Sequence, residues 1–168
     1  AQKPAFRGAF RERRCLVPAD GFYEWQHAGR RRQPFLIRMR DGRPFGLAGL
    51  WEFWRGPDAG VLETFTILTT SANALVLPLH DRMPVIVAPE HHDLWLDPGV
   101  RDPALLMPLL RPYPAEKMIA FPVSTLVNSP RNEGAACAAP VAEATETPPQ
   151  QHPRDDAPRD KGGQQLLF

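Results

Sequence analysis

Aromatic side chains run through the sequence as far as Phe121 and are then absent until the last residue, Phe168. A chain can build a packed interior only where it has large apolar groups to bury, so this break confines the core to the part upstream of about residue 130. From Ala135 onward Ala, Pro, Glu, Thr, Gln and Asp dominate, as in Ala144-Thr145-Glu146-Thr147-Pro148-Pro149-Gln150-Gln151. Such a stretch cannot bury enough apolar area to offset its ordering entropy. The expected organisation is therefore one folded domain over residues 1–134 and a disordered tail over 135–168. A total of 168 residues suits a single core of that kind.

Within the folded part, Ala5–Arg11 reads as a helix with Phe6 and Phe10 four residues apart on one face. The sequence opens on Ala1 rather than Met and enters this helix almost at once, so the expectation is an N-terminally truncated domain. Pro34–Arg40 and Phe45–Trp51 flank Asp41-Gly42 and read as two strands of a hairpin. Leu62–Thr69 alternates apolar and polar residues as a half-buried strand does, and Thr70 or Ser71 is placed to cap a short helix running through Leu77 to Pro78. Met83–Val87 reads as a strand, Glu90–Leu96 and Asp102–Leu110 as helices, and Met118–Val123 as a closing strand. Strands and helices interleave without a βαβ repeat, which predicts an α+β fold with a mostly antiparallel, barrel-like sheet and flanking helices. No Gly-x-Gly-x-x-Gly follows a strand, so a dinucleotide-binding fold is excluded.

Charge sets limits on function. Twenty Lys and Arg stand against 19 Asp and Glu, a net +1, so nucleic-acid affinity has to come from a local cluster. Only Cys15 and Cys137 are present, far apart, which rules out a four-cysteine zinc site and favours a reducing compartment. No apolar run approaches the roughly 20 residues that span a bilayer. The chain is expected to be soluble and cytoplasmic.

Two clusters carry candidate chemistry. In Arg13-Arg14-Cys15-Leu16-Val17-Pro18-Ala19-Asp20-Gly21-Phe22-Tyr23-Glu24-Trp25, one carboxylate sits between aromatic neighbours whose rings would desolvate it and raise its pKa, making Glu24 a candidate proton donor. The competing reading is a strand-edge Glu paired with an arginine. In Pro78-Leu79-His80-Asp81-Arg82-Met83-Pro84, His80 is placed to move protons and Arg82 to hold a phosphate, against the alternative of an Asp81–Arg82 surface pair beside a capping histidine. Arg30-Arg31-Arg32 with Arg38, Arg40 and Arg43 lies near Trp25, Trp51 and Trp54 in sequence, a mixture suited to phosphates and unpaired bases or simply to a solvated turn over core tryptophans. The adjacent His91-His92-Asp93 point in different directions and make a poor metal site. Cys15, in an apolar strand, reads as core.

Arg14-Cys15-Leu16-Val17-Pro18-Ala19-Asp20-Gly21-Phe22-Tyr23-Glu24-Trp25, Ala48-Gly49-Leu50-Trp51-Glu52, Thr66-Ile67-Leu68-Thr69-Thr70, His80-Asp81-Arg82-Met83-Pro84 and Val127-Asn128-Ser129-Pro130-Arg131-Asn132, in this order, closely resemble the SOS-response-associated peptidase (SRAP) family. The resemblance implies a single α+β domain that binds single-stranded DNA and crosslinks to abasic sites through an N-terminal cysteine. That residue, exposed when the initiator Met is removed autoproteolytically, closes a thiazolidine on the sugar aldehyde. It implies Glu24 and His80 as catalytic residues, Arg82 and Arg14 as DNA-binding residues, and no cofactor or metal. The family cysteine is not among these 168 residues, which leaves a non-catalytic single-stranded DNA-binding module on the same scaffold as the alternative. A metal hydrolase built on Glu24, His80 and the His91-His92 pair is a third. The last residues, Gln164-Gln165-Leu166-Leu167-Phe168, resemble short peptides that dock on the replication sliding clamp, with Gln164, Leu167 and Phe168 as the contacting positions. The expected protein is a monomer acting at the nucleoid during repair.

Overall fold

The computed structural model describes residues 4–28, 31–56 and 60–141. Helix α1 (Pro4–Glu12) leads into strands β1 (Arg14–Ala19), β2 (Phe22–Ala28), β3 (Arg31–Met39), β4 (Phe45–Arg55), β5 (Val61–Ile67), β6 (Thr69–Ser71), β7 (Arg82–Pro84) and β8 (Ile86–Val87). Short helices α2 (His92–Leu96) and α3 (Pro103–Leu106) follow, and then β9 (Met118–Pro122). One sheet has the order β1-β4-β5 with β8 also on β4, a second has β2-β3-β9, and β6 pairs with β7. Every recorded strand pair is antiparallel. The α+β class is as expected, but the three sheets do not close into a barrel.

β4 is the wall between two cores, because its alternation sends successive side chains to opposite faces. Ala48 and Leu50 join Ala9, Phe10, Val85, Val87, Trp95 and Leu106 on one side. Phe45 and Leu47 join Ile37, Met39, Val76, Met83, Ile86 and Met118 on the other. Each such side chain, fully buried, contributes roughly 1.5–3 kcal/mol relative to exposure. Phe10 meets Trp95 edge to face at 6.0 Å, whereas Phe6, on the same helix face, stays 44% exposed. All of β5, the end strand of its sheet, is exposed, including Val61, Leu62 and Phe65.

Several expectations are corrected. β3 and β4 do not form a hairpin. The Asp41-Gly42 turn, with Gly42 at φ 75° and its amide on the Met39 carbonyl, sends the chain into a different sheet. Ile37 and Leu47 then meet face to face in the second core instead of edge to edge. The helix from Thr70 or Ser71 to Leu77 is absent, because β6 continues to Ser71 and the chain then turns repeatedly. Asn73, rather than either hydroxyl, caps this turn, and Pro78 prevents its extension. Met83–Val87 splits in two: β7 pairs with β6, and β8 pairs with β4.

Asp102 caps α3 as its sequence position suggests, accepting from the Ala104 amide, and the helix gives way to a 3-10 turn at Met107–Leu109. The ordered chain also passes the expected boundary at residue 134. Ala135–Cys137 forms a 3-10 turn with Cys137 buried, and the Val141 amide donates to the Pro122 carbonyl. The later part of the expected tail, with Gln164, Leu167 and Phe168, lies outside the described residues. No helix among the described residues is long and apolar enough to cross a membrane.

Candidate active site

Glu24 lies in the middle of β2, opposite Phe35 of β3. Tyr23 and Trp25 project from the other face of the strand, their rings 6.5 Å apart, so they are not what dehydrates the carboxylate. The desolvating surface is on Glu24's own face, where Phe22 and Phe35 pack against the second core. Burial pushes the Glu24 carboxyl above the usual carboxylate range, and the nearby His80 imidazole pulls it back part of the way. Burial thus favours the protonated form of Glu24, and of the competing picture the edge strand is present, β2 being the end strand of its sheet, but the arginine partner is not: no ion pair involves Glu24 among the described residues.

His80 reaches the site on the turn between β6 and β7. Its Nδ1 lies 3.0 Å from the Arg82 amide, 3.1 Å from the Arg82 carbonyl oxygen and 3.4 Å from Oδ1 of Asp81. Nδ1 accepts the Arg82 N–H when Nε2 carries the ring proton, and donates towards the Arg82 carbonyl and the Asp81 carboxylate when Nδ1 carries it, so either way the Arg82 main chain anchors the ring. Asp81 thus serves His80 rather than pairing with Arg82. The Arg82 guanidinium is exposed and anchored at one nitrogen, which donates to the Thr69 carbonyl at 2.8 Å and to Thr69 Oγ1 at 2.9 Å. No carboxylate among the described residues pairs with it. An oriented cation left without a counter-charge is suited to an anion.

Arg14, expected to bind DNA, lies inside the fold with its guanidinium on main-chain carbonyls. Its side chain is 7% exposed. Nε donates to the Trp95 carbonyl at 2.6 Å, one terminal nitrogen to the carbonyls of Phe10 and Arg11, and the other to those of Asp97 and Val100. All five N–H groups are committed to main-chain oxygens, so Arg14 ties the end of α1 to the end of α2 and its following turn. Among the described side chains the basic residues are spread over different surroundings. Arg40 donates to the Glu116 and Met118 carbonyls, Arg38 stacks 5.3 Å over Phe121, and Trp51 and Trp54 belong to the other sheet. Arg30 lies outside the described residues.

Sequence reasoning missed three polar partners. Thr69 orients Arg82, Asn73 caps the turn leading to His80, and Asn128 accepts the Trp25 Nε1–H at 2.6 Å. Only Asn73 had a readable signal, an Asn two residues beyond a strand and ahead of a proline. Cys15, read as core, is half-buried and belongs to neither core; its Sγ would be 2.7 Å from a Cβ placed on Gly49, and burial pushes its thiol up rather than toward thiolate. The Nε2 atom of His92 lies 3.0 Å from the Val87 carbonyl, and among the described residues no three His, Cys, Asp or Glu side chains converge as a metal requires.

A partly buried carboxyl, an imidazole anchored on the Arg82 main chain and an exposed arginine without a carboxylate partner among the described residues thus lie on an antiparallel α+β scaffold. The chain belongs to the SOS response associated peptidase (SRAP) family, whose model matches residues 1–130. It is 44% identical over 133 residues to the abasic site processing protein YoqW of Bacillus subtilis, covering 79% of this chain and 59% of that protein. The abasic site processing protein HMCES of Gallus gallus is 36% identical over 160 residues, covering 83% and 47%. YedK of Escherichia coli, which bears the same description, is 32% identical over 139 residues, covering 81% and 61%. A solved structure of a Bacteroides thetaiotaomicron protein superimposes with a TM-score of 0.77 at 32% identity, covering 84% of this chain and 62% of that one. The chain thus spans about 60% of the length of YoqW.

Proposed function

We propose that this chain carries the acid–base half of an abasic-site processing enzyme acting on single-stranded DNA. The observation that supports it most is the coupling of a desolvated Glu24 to His80 beside the unpaired Arg82, in a chain so similar to proteins described as abasic site processing proteins.

In this reading, the nucleophile is an N-terminal cysteine that these 168 residues do not include. Its neutral amine adds to the aldehyde carbon of the ring-opened sugar. Glu24, in its acid form, protonates the resulting hydroxyl, which leaves as water and gives the imine. The cysteine sulfur then adds to the imine carbon and closes the thiazolidine, so one water is lost overall. His80, with Nδ1 held against the Arg82 main chain, transfers protons during sugar opening and crosslink reversal. Arg82 holds a phosphate flanking the site and contributes position rather than sequence choice. Removal of the initiator Met, which exposes the cysteine amine, is the peptidase step of the same reading.

The rival is a binding module that keeps the scaffold and holds DNA without bonding to it. Mass spectrometry of the complete gene product incubated with an abasic oligonucleotide separates the two. The enzyme gives a species at the summed mass less one water, and a binding module gives only the two starting masses. The C-terminal Gln164, Leu167 and Phe168 are proposed to dock on the sliding clamp, which would hold the domain near DNA being copied.

A further inference from the structure

We propose that Asn73 is the positioning residue for His80, acting through the turn that connects β6 to β7. Its catalytic consequence rests on the function proposed above. Its geometry does not.

His80 has no regular element beneath it. Its main-chain amide donates to the Val76 carbonyl at 3.0 Å, and the Leu79 amide shares that acceptor at 2.8 Å. Val76 therefore sets where the imidazole begins, and Val76 is wholly buried in the second core. The other side of Val76 is held by Asn73, whose Oδ1 accepts the Val76 amide at 3.0 Å and the Leu75 amide at 3.1 Å. The Nδ2 atom of Asn73 donates to the Tyr113 carbonyl at 2.7 Å. A continuous chain of bonds thus runs from Tyr113, just ahead of β9, through one carboxamide to Val76 and on to His80. The segment is closed below by the Ala72 amide on the Asp81 carbonyl at 2.9 Å.

The chemistry explains the residue type. The position needs an acceptor for two main-chain amides and a donor for a main-chain carbonyl, within one short side chain. Among side chains of this length only asparagine supplies both. Aspartate keeps the acceptor but sets a carboxylate against the Tyr113 oxygen, serine puts its donor and acceptor on one oxygen nearer the backbone, and alanine keeps neither. Without the tether, the turn can rotate about its Ala72–Asp81 base, and Nδ1 of His80 loses its alignment with the Arg82 amide.

The test compares wild type, Asn73→Ser and Asn73→Ala. In the 168-residue chain, the ring nitrogens of His80 are read by 15N NMR, assigned with His80→Gln. In the complete gene product, crosslinking to an abasic oligonucleotide and affinity for it are measured separately. Wild-type His80 should show one dominant tautomer, its Nδ1 held against the Arg82 main chain. In Asn73→Ala both signals should move toward tautomer averaging, with Asn73→Ser between. The crosslinking rate should fall about tenfold or more in the alanine variant, since misplacing a reacting group by ~1 Å costs up to about 10²-fold, while affinity for the strand stays within about twofold. Should Asn73→Ala not fold, Asn73→Ser decides by the same two readouts. Ring signals identical to wild type in the folded variants would overturn the proposal, as would an unchanged rate in a wild type that crosslinks. Moved ring signals in a gene product that forms no adduct would uphold the positioning role and remove the proposed function instead.

Discussion

Nδ1 of His80 lies 3.0 Å from the main-chain amide of Arg82 and 3.1 Å from its carbonyl oxygen, so the residue bearing the exposed cation of the site also anchors its imidazole. The two roles use different atoms. The guanidinium is held by Thr69 and open to an anion, while the amide belongs to the backbone and survives any substitution except proline.

Arg82→Ala should therefore weaken single-stranded DNA binding without altering the tautomer of His80. Each lost phosphate contact reduces the slope of log K against log salt by about 0.7 for a single strand. Fluorescence anisotropy across a salt series should show that reduction with no change in sequence preference. An equal slope in wild type and variant would mean that Arg82 touches no phosphate.

Arg14 should behave in the opposite way. Arg14→Lys leaves carbonyls that five N–H groups now satisfy short of donors, inside a largely buried setting. A loss of about 3 kcal/mol in urea unfolding is expected, the order seen when one partner of a buried charged network is removed. The salt slope of DNA binding should not change, and a change in slope without a loss of stability would return Arg14 to the DNA-binding set.

The difference between Arg14 and Arg82 shows how far this sequence can be read. Both are arginines beside apolar runs, and only the third dimension tells that five carbonyl oxygens from α1, α2 and the turn after α2 converge on the first while none of the described carboxylates approaches the second. Glu24 and His80 were legible because their neighbours in sequence carry a recognisable pattern. Burial raises the Glu24 carboxyl as its aromatic surroundings suggest, with Phe22 on its own face, while Tyr23 and Trp25, adjacent in the strand, point to the other face. Local elements such as α1 and α2 follow from periodicity, whereas β5 is a strand as expected but exposed along its whole length instead of half-buried. The pairing of β3 with β9, across some 80 residues, and the parting of β3 from β4 depend on which apolar faces fit together, and no local pattern encodes that.

Glu24 also sets a pH dependence. Its carboxyl binds a proton more tightly in the fold than in the unfolded chain, because burial disfavours the charge. Its contribution to stability is therefore fully present below the ordinary carboxylate pKa and is lost as pH rises through the raised folded value. Glu24→Gln cannot ionise, so its stability relative to wild type should be greater at neutral pH than in acid. Denaturant midpoints compared at the two pH values check this, and a constant difference would deny that burial acts on Glu24.

For the C-terminal end, a peptide covering Lys161 to Phe168 should bind purified sliding clamp, and Leu167→Ala with Phe168→Ala should abolish binding. No binding by the wild-type peptide at high micromolar concentration would take the clamp off the list of partners.

The central claim is that Glu24 and His80 act on an abasic sugar. Its most direct test is the single-turnover rate at which the complete gene product forms a denaturation-resistant adduct with single-stranded DNA carrying one abasic site, measured for wild type, Glu24→Gln and His80→Gln. The account predicts an adduct in wild type that forms more slowly, by about 10²-fold, as expected for loss of a general acid, in Glu24→Gln that still folds and still binds the strand, with His80→Gln also impaired. Adduct formation at the wild-type rate in both variants, or none in wild type, would contradict it.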